Sequence, residues 1–81
     1  MADIADIQLK IKAVEFALAS FTKYRNKEEE RVAYLDSIVE TNSFLDVYFD
    51  FSKQELQDAL KQLQEMENIL LAKQQSENMN H

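Results

Sequence analysis

The chain holds a single histidine, His81, and no cysteine. Nucleophilic hydrolysis wants a positioned histidine next to its nucleophile. His81, the last residue of a polar stretch, reads instead as a solvated end. A di-iron or dimanganese bundle needs Glu-x-x-His pairs projecting inward, and the sequence has none. Without glycine there is no phosphate-cradling loop. Glu28 to Glu30 supply three carboxylates in a row, but successive helical residues point about 100° apart and do not converge on one ion. They suit the positive end of a helix dipole better. Asp46 and Asp50 share a helix face and read as a solvated acidic edge. No enzyme activity, no cofactor and no metal site are expected.

Lys23, Arg25 and Lys27, with Phe21 and Tyr24 among them, resemble a single-strand nucleic-acid contact, with rings to stack on and cations for phosphate. Three glutamates follow at once, and the net charge of −6 opposes a polyphosphate partner. A helix C-terminus followed by a helix N-terminus accounts for the same residues, and no nucleic-acid partner is expected.

The elements that position these side chains are helical. At 81 residues the chain is one small domain, burying only about 60% of its unfolded surface, with no disulfide or zinc site to staple it. Idealised helix packing or association with other chains has to make up the difference. The expected domain is 1–75, followed by a polar, disordered tail at 76–81.

In "FDFSKQEL", Ser52 and Glu55 have the S-x-x-E spacing of a capping box, flanked by Phe51 and Leu56 as a hydrophobic staple. A helix is predicted to begin at Lys53. Charge switches sharply in "KYRNKEEER". Met1 to Lys27 carries five basic and three acidic residues, and Glu28 to Phe51 carries one against seven. One helix running through this join competes with a break near Arg25. The N-x-x-E spacing of Asn26 and Glu29 favours the break, with Asn26 as N-cap of a second helix.

Helix 1, starting near Asp3 or Asp6, has a seam of Ile4, Ile7, Ile11, Val14, Leu18 and Phe21 at alternating spacings of three and four. The second helix continues with Val32, Leu35, Ile38, Val39, Leu45 and Phe49, unless Asn42 and Ser43 end it early and Ser43 caps a short extra helix. The third contributes Leu56, Ala59, Leu60, Leu63, Met66 and Leu70. Similar lengths and short connections predict an all-α fold, a short antiparallel three-helix bundle or helical hairpin with coiled-coil-like packing. Asn42 and Glu67 fall on the seams, where a polar residue can set register and Glu67 would call for a cation from helix 1.

Two features exceed the needs of a slim bundle. Leu9, Ala13 and Phe16 form a second apolar stripe nearly opposite the first seam of helix 1, so that helix either lies between two neighbours or has a further partner. Half of the chain's eight aromatics fall in "FLDVYFDF". Phe44, Tyr48 and Phe51 lie along its flank, extended by Tyr34, and either plug the bundle end or form a contact patch. Leu9, Ala13, Phe16, Tyr34, Phe44, Tyr48 and Phe51 are thus the candidate partner-binding residues.

The functional expectation is a protein-binding module, such as an adaptor, a small chaperone or a subunit of a larger assembly, with an acidic middle that prefers a basic partner. The rival is a self-assembling structural coiled coil, so the partner is another protein, the chain itself, or both. No apolar run reaches the ~18 residues of a membrane span, and "MADIADIQLK" lacks the pattern of a signal peptide. A cytoplasmic protein without membrane insertion is expected.

Overall fold

The computed structural model describes residues 3–79, and side chains through Ser76. In the described residues four helices follow one another: α1 (Ile4–Lys23), α2 (Glu28–Val39), α3 (Leu45–Tyr48) and α4 (Lys53–Met79). Among the described residues there is no strand. Helix α1 packs most extensively against α4, and its other contacts are with α3 and α2. It is the hub of the fold.

Local chemistry explains each boundary. Asp3 caps α1, its carboxylate accepting the Asp6 N–H at 2.9 Å. The break between α1 and α2 is real, but it is built differently from the expectation. Helix α1 stops at Lys23, and the Tyr24 N–H still donates to the Ser20 carbonyl at 3.0 Å. Asn26 then takes a left-handed conformation with φ 64°, which asparagine tolerates better than most residues with a Cβ. The N-cap of α2 is Lys27, which makes no side-chain capping bond. Glu28, Glu29 and Glu30 in the first turn face the positive end of the α2 dipole instead.

Helix α2 is shorter than a seam running to Phe49 implies. The Thr41 and Asn42 N–H groups both donate to the Ile38 carbonyl at 2.9 Å, closing the helix. The Asn42 side chain accepts the Phe44 N–H at 3.1 Å, an asparagine turn that competes with helix continuation. The single turn α3 follows, with Phe44 rather than Ser43 in the N-cap position and no side-chain bond there. Asn42 therefore serves as a turn residue rather than a buried register pin.

The capping box before α4 is complete in both directions. Ser52 Oγ accepts the Glu55 N–H at 3.2 Å, and Glu55 accepts the Ser52 N–H at 2.9 Å. Leu56 is fully buried and Phe51 packs against the core, as the staple requires. At its far end α4 runs to Met79. Neither glycine nor proline interrupts Ser76 to Met79. Asn80 and His81 lie outside the described residues.

The core joins Ile7, Ala13, Val14 and Ala17 of α1 to Leu35 of α2, Leu45 and Tyr48 of α3, and Leu56 and Leu63 of α4. Each fully buried Leu or Ile contributes on the order of 1.5–3 kcal/mol from removal of apolar surface from water. On α1 the buried residues Ile7, Ala13, Val14, Ala17 and Ser20 cover an arc of about 140° at 100° per residue. That arc lies between the two stripes seen in the sequence. Small side chains at Ala13, Ala17 and Ser20 fill it, and Ser20 Oγ returns its proton to the Ala17 carbonyl at 2.5 Å. The two stripes thus merge into one wide face.

The radius of gyration is 15.1 Å, against about 12 Å for a compact chain of this length. Helix α4 is responsible. Its 27 residues span ~40 Å, whereas the 20 of α1 span ~30 Å. Ile7, near the start of α1, shares a shallow depression with Met66, Ile69 and Leu70 in the second half of α4.

Candidate interaction surface

Three of the seven candidate residues meet at one place. Leu9 and Phe16 of α1 and Phe44 before α3 line an open cleft of about 330 Å³. Lys12, Ile38, Thr41, Asn42 and Ser43 complete it. Leu9 and Phe16 are seven residues apart, two turns on one side of α1, and the asparagine turn swings Phe44 across to face them. Leu9 is 46% exposed, while Phe16 and Phe44 are half-buried and rest on the core. The floor is apolar and the rim carries hydroxyls, an amide and one ammonium group.

The other four candidates have different places. Ala13 is entirely buried, and Tyr48 belongs to the core with its ring edge-on to Phe51 at 5.2 Å. Burial holds the Tyr48 phenol above its ordinary pKa. Phe51 packs against the core beside it. These aromatics plug the fold, as one of the two readings of that stretch anticipated. Tyr34 sits outside the cleft, its ring 5.4 Å from that of Tyr24 and 4.9 Å from the Lys23 ammonium.

Cations of the basic first helix meet aromatic rings. Lys10 lies 5.8 Å from the Phe44 centroid and Lys23 lies over Tyr34, so both α1–α2 and α1–α3 joints carry cation–π contacts. The ion pairs among the described residues are instead local to α2 and its cap, Lys27 with Glu30 at 3.9 Å and Arg31 with Glu28. Glu67 is half-buried and forms no ion pair among the described residues. Among the described residues, Arg31 is the buried charge. Its Nε and Nη2 donate to the two Glu28 oxygens at 3.0 and 2.5 Å, and the pairing holds the Glu28 carboxyl below its ordinary pKa and the guanidinium above its own.

A second apolar surface lies on α4. Met66 is 45% exposed and Ile69 68%, with Leu71 also exposed. The seven-residue spacing placed Met66 on the seam. In the fold Met66 stands about 60° round the helix from Leu63, off the line that faces α1.

Compared with protein-family models, curated proteins and solved structures, the chain matches none. No helix among the described residues is long and apolar enough to cross a membrane. The cleft and the α4 face are therefore weighed on their own geometry. Lys12, Ile38 and Ile69 carried no signal in the sequence beyond ordinary helical patterning, because the first two lie on different helices, α1 and α2, and the third stands about 120° round α4 from the buried Leu63.

Proposed function

We propose that the chain is a non-enzymatic helical interaction module, an adaptor, small chaperone or subunit of a larger assembly. In this reading its long helices form a short antiparallel bundle, and the cleft between α1 and the α2–α3 connection takes an apolar side chain from a partner protein. The observation that carries the reading is the convergence of Leu9, Phe16 and Phe44 on one open cleft. An apolar floor inside a polar rim is the anatomy of an interface, and aromatic residues are enriched at the buried centre of such surfaces. The acidic α2 region steers a basic partner at long range, while Lys12 at the rim offers one local contact for a carboxylate.

A photo-crosslinking residue placed at Leu9 or Phe44, and as a control at exposed Gln57 of α4, tests this in the source cell. Discrete adducts with a second protein at the first two positions, absent at the third, support the cleft. Equal labelling at all three positions removes it. A second reading, self-assembly as a structural coiled coil, is favoured by a different observation, the exposed apolar face of α4.

A further inference from the structure

Helix α4 carries a face that α1 leaves uncovered, and its residues are arranged symmetrically. Ile69 is the most exposed large apolar side chain among the described residues. Glu65 lies four residues before it and Lys73 four residues after it, and both are exposed. At about 100° per residue the three share one side of the helix, with Met66 and Ala72 beside them. Eight residues, or ~12 Å of helix, separate Glu65 from Lys73, too far for a pair within one chain. Neither forms an ion pair among the described residues.

We propose that two copies of the chain pair through α4, antiparallel and two-fold symmetric about Ile69, with Glu65 of each copy against Lys73 of the other. The sequence Glu65, Ile69, Lys73 is complementary to itself when reversed: apolar meets apolar at the centre, and each carboxylate meets an ammonium at the edge. A parallel pair would set Glu65 against Glu65 and Lys73 against Lys73. Ala72 lets the backbones approach, and the depression formed by Ile7, Met66, Ile69 and Leu70 adds apolar surface beside the axis. An isologous contact of this kind closes on itself and stops at two copies. The face is short compared with the roughly 1,200–2,000 Å² of a standard interface, so the dimer is weak and concentration-dependent. This surface is separate from the cleft and holds or fails independently of it.

Sedimentation equilibrium of the full chain from low micromolar to near-millimolar concentration tests the proposal, with far-ultraviolet circular dichroism confirming that each variant keeps its helices. The wild type is expected to pass reversibly from monomer to dimer. Ile69→Glu should weaken the dimer at least tenfold. Glu65→Lys and Lys73→Glu should each weaken it several-fold, and a one-to-one mixture of those two variants should associate more tightly than either alone, because both edge contacts are then attractive. If Ile69→Glu loses helicity, the mixture decides alone. A wild type that stays monomeric throughout overturns the proposal. So does a dimer indifferent to both charge reversals, or one abolished by Leu9→Glu, which would place the contact at the cleft.

Discussion

The guanidinium carbon of Arg31 lies 4.2 Å from the centroid of the Phe21 ring, so the charge at the start of α2 is stacked on the last turns of α1. Glu28 holds the same guanidinium from its own helix, three residues back. Nη1 is buried and has no acceptor among the described residues. A buried donor without a partner costs about 1–3 kcal/mol, which offsets much of what the stacking and the ion pair contribute. Arg31→Met keeps most of the packing and removes the orphaned donor, while Glu28 is exposed enough to be solvated alone. We expect Arg31→Met to change the unfolding free energy by less than ~1 kcal/mol, as replacement of a buried pair by an apolar residue often does. Arg31→Ala also loses the aliphatic contacts and should cost about 1–2 kcal/mol more in urea titration.

Ser52 and Glu55 exchange both capping hydrogen bonds at the start of α4. Ser52→Ala removes one acceptor and should destabilise the fold by about 1 kcal/mol. Because α4 meets α1 across the core, the loss should appear in the global unfolding transition. Retention of full stability in Ser52→Ala would mean that water caps this end equally well.

Asn26 is the joint between α1 and α2. Its left-handed backbone admits glycine freely and opposes a β-branched residue. Asn26→Val should cost about 1–2 kcal/mol, whereas Asn26→Gly should leave stability nearly unchanged. If Asn26→Val were as stable as the wild type, with amide protection running unbroken from α1 into α2, a continuous helix would have replaced the turn.

Acid should destabilise the fold through two identified carboxylates. Hydrogen bonding to Arg31 lowers the pKa of Glu28, and hydrogen bonding to Ser52 lowers that of Glu55. In each case the unfolded chain takes up its proton at the higher pH. The contribution is therefore present above the ordinary glutamate range and is lost as pH falls through it towards the depressed native value. Glu28→Gln and Glu55→Gln should each flatten the acid limb of a stability–pH profile. At the alkaline end the sign reverses. Burial raises the Tyr48 pKa above its ordinary 10.0, so stability should fall as pH rises from there, and Tyr48→Phe should remove that slope.

Interactions that close within a few residues were legible in advance. The Ser52–Glu55 box and the break at "KYRNKEEER" depend on hydrogen bonds and backbone preferences inside one turn of chain. Even so, the break was legible as a location and not as a mechanism: Asn26 works through its backbone angle, and the expected side-chain cap is absent. The seven-residue spacing misplaced Met66, because three residues after Leu63 leave it about 60° round the helix, where it stays 45% exposed beside Ile7. The early stop of α2 hinged on whether Asn42 bonded to its own turn or left the helix running, a competition of two weak local preferences that packing resolved.

The sequence by itself determined that the chain is helical, where α4 begins and which residues are apolar, since periodicity, capping chemistry and the absence of glycine and proline act locally. Only the tertiary structure decided that α1 is the hub, that Ala13 and Tyr48 are interior, and that Leu9, Phe16 and Phe44 share a cleft while Ile69 stands open to solvent. The physical reason is that burial is a property of pairs of elements. A helix face has no inside until a neighbour covers it, and α1 covers the side of α4 that holds Leu56 and Leu63 but not the side about 120° away that holds Ile69.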